Sequence, residues 1–174
     1  MAEATILIVD DEPLNLTMLA HLLRPTYKVR AANSGASALR AAATPPRPDL
    51  VLLDVSMPDM DGYEVLAQLQ ANAATRDIPV VFITALAAAG DEERGLRLGA
   101  MDYIAKPIKP AVVLARVRTQ LDAKRARDWM RNQNAFLEAE VSRRMAETDQ
   151  TQLVSIRALA HLAEIRDPET GNHI

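Results

Sequence analysis

Thr5-Ile6-Leu7-Ile8-Val9-Asp10-Asp11-Glu12-Pro13 sets the architecture of the N-terminal part of the chain. Its apolar run is too short for a helix and does not alternate with polar residues. It therefore reads as a strand covered on both faces, the usual state of strands in parallel sheets. Three acids end the run, and Pro13 suits the first turn of a helix whose buried face is Leu16, Leu19, Leu22 and Leu23. The pattern recurs downstream. Further strands are expected at Tyr27–Arg30, Leu50–Leu53, Val80–Ile83 and Asp102–Ile104. Ser34 can cap a helix over Gly35–Ala43, and Asp61 can cap another carrying Val65, Leu66 and Leu69. A fourth helix is expected near Asp91–Leu98, stopping at Gly99. Five successive β-α units predict an α/β fold with a doubly wound, five-stranded parallel sheet.

The chain has 174 residues, long for one such domain and short for two. With no cysteine, a disulfide framework, a thiolate zinc site and a cysteine nucleophile are excluded. No apolar run reaches the roughly 18 residues of a membrane span. The N-terminus lacks the basic start of a signal peptide, so a cytoplasmic protein is expected. Charge is uneven: Met1 to Lys106 holds 9 basic and 14 acidic residues, and Pro107 to Ile174 holds 11 and 9. Ala111 to Asp167 contains neither Gly nor Pro. A domain boundary is expected near residues 107–122.

In open parallel sheets, ligands bind beyond the carboxyl ends of the strands. Those ends carry Asp10, Asp11 and Glu12, then Asp54, Thr84 and Lys106. Converging carboxylates repel unless a cation shares them. An all-oxygen donor set without Cys or a nearby His suits Mg²⁺ or Mn²⁺. A metal, an ammonium and a hydroxyl around a carboxylate make a phosphoryl-transfer site with that carboxylate as nucleophile. A single acid at a strand end is more often a solvated cap, and the convergence is what argues for chemistry. Asp59 and Asp61 read as a loop acid and a helix cap, and His21 as a rim residue. The Asp-x-x-x-Pro-Asp run beginning at Asp54 also suggests a haloacid-dehalogenase-like phosphatase. Those enzymes carry a second acid two residues on, where this chain has Ser56.

The motifs Ile6 to Pro13, Leu52 to Gly62, Ile83-Thr84-Ala85 and Lys106-Pro107 together resemble the response-regulator receiver domain, over residues 3–122. That resemblance implies a flavodoxin-like fold. It implies Asp54 as phospho-acceptor, and Asp10, Asp11, Asp54 and the backbone carbonyl of Ser56 as holders of Mg²⁺ (or Mn²⁺). Thr84 and Lys106 would engage the phosphoryl group, Tyr103 would be the switch aromatic, and Pro107 would follow a cis bond. A sensor histidine kinase is the implied partner.

After Pro110 the chain reads as one long helix. Residues 123–149 form a helical linker with an imperfect heptad seam. Met130, Leu137 and Arg144 share one position of that seam, and Asn134, Val141 and Thr148 the other, so a homodimer through a coiled coil is expected. Its basic cluster, Arg116, Arg118, Lys124, Arg125, Arg127 and Arg131, is interspersed with Asp122 and Asp128 and reads as a solvated face. Neither nucleic acid nor membrane is expected as a partner. Residues 150–174, from Leu159-Ala160-His161 to Pro168-Glu169-Thr170-Gly171-Asn172-His173, resemble the opening of an HD-GYP domain. That family comprises metal-dependent phosphohydrolases that typically cleave cyclic di-GMP. Glu169 and His173 match two of its ligands to Fe or Mn. The family's His-Asp pair and Gly-Tyr-Pro loop are not in this chain, so the segment reads as a stub without activity. Two rival readings are a phosphorylation-independent dimerisation module and the receiver of a DNA-binding regulator.

Overall fold

The computed structural model describes residues 3–85 and 99–165. In chain order the elements are β1 (Thr5–Val9), α1 (Pro13–Leu23), β2 (Lys28–Ala32), α2 (Gly35–Ala43), β3 (Leu50–Asp54), α3 (Gly62–Ala71), β4 (Val80–Ala85), β5 (Asp102–Lys106) and α4 (Pro110–Ile165). All strand pairs are parallel, in the order β2-β1-β3-β4-β5. This is the doubly wound, flavodoxin-like order, in which the chain reverses its direction of winding after β2.

Side-chain alternation along the central strands divides the core in two. Ile6, Ile8, Leu50, Leu52, Val81 and Ile83 face α1 and the first turns of α4, meeting Leu19, Leu23, Val113, Val117 and Leu121. Leu7, Val9, Val51, Leu53, Val80 and Phe82 face α2 and α3, meeting Ala38, Ala42, Val65, Leu66 and Leu69. Both β1 and β3 are buried along their whole length, which explains their unbroken apolar runs. Each fully buried Leu or Ile contributes roughly 1.5–3 kcal/mol.

The helix starts follow the local sequence. Ser34 accepts from the Ser37 amide at 3.3 Å and begins α2. Asp61 accepts from the Glu64 amide at 2.8 Å, and the Glu64 carboxylate accepts from the Asp61 amide at 3.1 Å. That reciprocal box begins α3 and fixes the loop after β3. Pro13 opens α1 with no side-chain cap from Glu12.

Four strands differ from expectation, β3 by running one residue further to Asp54 and β4 two further to Ala85. The ladder of β2 runs over Lys28–Ala32 rather than Tyr27–Arg30, because Leu7 to Val9 continue to pair through Ala32. The β5 ladder reaches Lys106 rather than ending at Ile104, since Thr84 and Ala85 pair with Ala105 and Lys106. The helix expected near Asp91–Leu98 lies outside the described residues. Gly99, its expected stop, has φ of 91°, a conformation that glycine adopts without steric penalty. The Lys106–Pro107 peptide is cis, and so is Pro45–Pro46.

By contacts the chain divides into two compact units, Met1–Ala126 and Arg127–Ile174. In the described part of the second unit, Trp129, Met130, Phe136, Leu137, Val141, Met145, Leu153, Val154, Ile156 and Leu159 are exposed. Among the described residues, no helix is long and apolar enough to cross a membrane.

Candidate functional site

Asp10 is the first residue beyond β1, and its amide still donates to Ala32 of β2 at 3.2 Å. Its side chain has no exposed surface. Oδ1 accepts from the Glu12 amide at 2.8 Å. The Asn15 side-chain amide donates to Oδ1 at 3.1 Å and to Oδ2 at 3.0 Å. Asn15 also reaches Glu12 Oε2 at 3.1 Å, so the first turn of α1 holds this carboxylate in a fixed orientation.

Asp54 ends β3 and is 2% exposed. Lys106, ending β5, brings its ammonium to 2.8 Å from Asp54 Oδ1 and 3.3 Å from Asp10 Oδ2. Asp54 Oδ1 is buried, and the Lys106 ammonium at 2.8 Å is its charge partner. Asp11 completes the cluster, half-buried. Carboxylate oxygens of Asp10, Asp11 and Asp54 lie within 4.8 Å of one another.

This cluster carries more negative charge than Lys106 neutralises. Burial pushes Asp54 above the ordinary 3.8, the Lys106 ammonium opposes that rise, and repulsion from Asp10 and Asp11 adds to it. Burial works to lower Lys106, but Asp54 and Asp10 outweigh it and hold the ammonium above its ordinary 10.5. Three close carboxylates, with no sulfur or imidazole ligand beside them among the described residues, fit a hard divalent cation.

Thr84 stands one residue before the end of β4, half-buried. Among the described residues, its hydroxyl donates a long 3.4 Å bond to the Ala85 carbonyl. Ladder register sets Thr84 beside Ala105, the neighbour of Lys106. Tyr103 pairs with Phe82 on β5 and is half-buried against the α2–α3 side of the core. Ser56 is exposed, two residues after Asp54. Asp10, Asp11, Asp54 and Lys106 are thus brought together. Asp61 caps α3, and Asp59 is an exposed loop residue at φ of 66°. His21 is exposed on α1. Glu169 and His173 lie outside the described residues.

Two contributors escape a reading by residue type. Asn15 looks like a helix-surface amide until the fold sets it beside Asp10. Gly62 looks like a helix start, yet a Cβ there would lie 2.5 Å from the Asp54 carbonyl oxygen and 2.9 Å from Val55 Cα. Its amide also donates to the Val55 carbonyl at 2.9 Å. Only glycine lets α3 begin this close behind Asp54.

Within the basic cluster, several cations already have acidic partners. Arg116 meets Asp102 at 3.1 Å, Lys124 meets Asp49 at 3.8 Å, and Arg125 meets Asp122 at 3.4 Å. The Arg125 pair lies within α4, whereas Arg116 and Lys124 tie the helix to β5 and to the segment before β3.

The family described as response regulator receiver domain matches residues 6–118. A probable cyclic di-GMP phosphodiesterase of Vibrio cholerae is 48% identical over 174 residues, 100% of this chain and 39% of the relative. The cyclic di-GMP phosphodiesterase response regulator RpfG of Xanthomonas campestris is 33% identical, over 95% of this chain and 44% of the relative. The chain thus spans less than half the length of either. Among solved structures, the receiver domain of a sensor histidine kinase, PA1611 of Pseudomonas aeruginosa, superposes with a TM-score of 0.64 at 34% identity. The match covers 70% of this chain and 99% of that one, which has a magnesium ion coordinated in its active-site cleft.

Proposed function

The chain belongs to the response-regulator receiver family, and from that membership we propose that it accepts a phosphoryl group on Asp54 from a sensor histidine kinase. The observation that carries this reading is the buried Asp54 carboxylate, 2.8 Å from Lys106 and beside Asp10 and Asp11.

In this reading an Asp54 oxygen forms the new P–O bond as the bond to the donor's leaving group breaks. Lys106, already oriented by two carboxylates, neutralises charge on the phosphoryl oxygens. Asp10, locked by Asn15 and the Glu12 amide, keeps its charge directed at the cluster. Asp10, Asp11, Asp54 and the Ser56 carbonyl would hold Mg²⁺ (or Mn²⁺). When bound, that ion supplies charge neutralisation between the carboxylates and the incoming phosphoryl oxygens. Thr84, weakly tied at 3.4 Å, turns its hydroxyl toward the new group, and Tyr103 follows as the surface around β5 adjusts.

For the output we propose a cyclic di-GMP phosphodiesterase of the HD-GYP type, with residues 150–174 as the start of that domain. Supporting this are the resemblance of that segment and the names of two relatives that align over nearly all of this chain. Glu169 and His173 would be ligands to its Fe or Mn. Residues 123–149 would link the two parts as a helical pairing segment in a cytoplasmic homodimer.

Incubation with acetyl phosphate and Mg²⁺ tests the phospho-acceptor. Intact mass should rise by about 80 Da for one phosphoryl group on the wild type and remain unchanged for Asp54→Asn. No adduct on the wild type, or an undiminished one on the variant, rejects the reading.

A further inference from the structure

Beyond Ala126, the described part of α4 leaves Met130, Leu137, Val141, Met145, Ile156 and Leu159 each more than half exposed, as it does Trp129, Phe136, Leu153 and Val154, which lie off the stripe the first six form. With Asn134, Thr148 and Gln152 between them, those six step along the helix by four, three and four residues, a pattern that repeats every eleven. A seven-residue seam starting at Met130 would instead bring Arg144 into line, where the eleven-residue pattern has Met145. α4 is continuous through this stretch to Ile165, so the longer repeat lies on one uninterrupted helix.

The charge pattern identifies the occupant. Counting both ends, Arg127 to Arg157 holds ten charged residues, and none falls on these nine positions. Two identical helices paired in parallel and in register set each seam residue against its own copy. A charge there would face itself, whereas Asn, Thr and Gln both donate and accept and can bond to their own copies. Flanking charges are already matched within the helix: Arg143 meets Glu140 at 2.7 Å and Glu147 at 3.2 Å, and Arg144 meets Glu140 at 2.9 Å. Met130 to Leu159 spans about 44 Å of helix, enough for roughly 1,000 Å² of interface between two copies.

We propose that this stripe is the seam for a second copy of the chain, parallel and in register, built on the eleven-residue repeat. The proposal rests on the homodimer reading above and adds its register and orientation. Eleven residues over three turns is about 3.67 per turn, close to the natural helix, so the two helices run nearly straight with a weak right-handed winding.

The cysteine-free chain makes the test direct. Single cysteines are introduced into the full chain as Met130→Cys, Val141→Cys, Met145→Cys and Gln152→Cys, with Arg144→Cys and Ala139→Cys for comparison. Each variant is oxidised with and without Mg²⁺ and beryllofluoride, and circular dichroism checks that its helix content is unchanged. The first four should give disulfide-linked dimers in at least one condition, and the last two should lose that band. Faster linkage at Arg144→Cys than at Met145→Cys, in a protein that sediments as a dimer, overturns the register and leaves the pairing intact. Linkage at one position alone overturns the parallel orientation. A monomer by sedimentation, with no linkage anywhere, overturns the seam and the pairing together.

Discussion

Asp54 and Lys106 are oppositely charged partners whose removal should shift stability in opposite directions. Burial and two neighbouring carboxylates raise the Asp54 carboxyl above its ordinary 3.8 despite Lys106, so the metal-free folded state holds that proton more tightly than the unfolded chain. Below 3.8 both states are protonated and the group contributes no difference. As pH rises through the folded value, the folded state acquires a buried negative charge and loses stability. Asp54→Asn removes that charge. At neutral pH in EDTA it should gain on the order of 1–3 kcal/mol by urea denaturation, with the gain vanishing at low pH and shrinking in Mg²⁺. Lys106 is raised, so its contribution is complete below its ordinary 10.5 and is lost as pH climbs through the folded value. Lys106→Ala leaves three carboxylates without their ammonium and should lose on the order of 3–5 kcal/mol at neutral pH. Equal signs for the two variants would show that the cluster's charge excess is not what sets its energy. Asn15 acts through Asp10. Asn15→Ala should weaken Mg²⁺ affinity about 10-fold or more by calorimetry, and unchanged affinity would relegate Asn15 to helix packing.

At the scale of elements, the loop from Asp54 to α3 is held at both ends. Asp61→Ala removes the cap and should lose about 0.5–2 kcal/mol by chemical denaturation. Gly62→Ala should lose more and also slow phosphorylation, because its Cβ would press on the Asp54 carbonyl. A Gly62→Ala protein as fast as wild type would mean that the backbone behind Asp54 yields freely. This loop also marks how far the sequence is legible. Asp61 is readable as a cap because capping depends on a residue and the three that follow it. Gly62's contact with Asp54 crosses the turn between two elements, and neither composition nor periodicity records it. Asn15 is hidden for a related reason, since its partner is five residues away across a strand end. Buried strands β1 and β3 are legible as apolar runs, whereas edge strand β2 is set by the ladder of its neighbour and shifts toward Ala32.

At the scale of the molecule, the parallel sheet brings residues far apart in sequence to one rim. Asp10 and Lys106 are 96 residues apart yet 3.3 Å from each other. That convergence was legible because strands ending in Asp, Asp, Thr and Lys share one topological edge. On α4 the heptads counted from Met130 run into Arg144, where the eleven-residue spacing we propose has Met145. The division after Ala126 carries a prediction of its own. Residues 1–126 alone should unfold cooperatively and accept phosphate as the whole chain does, and a fragment that fails to fold would mean the second unit supports the first.

In the proposed function, Asp54 is the residue that takes the phosphoryl group. After incubation with acetyl phosphate and Mg²⁺, borohydride reduction converts an aspartyl phosphate to homoserine, which peptide mapping locates. Homoserine at position 54 alone is the predicted result. Homoserine at position 10 or 11, or none at all, would contradict the account.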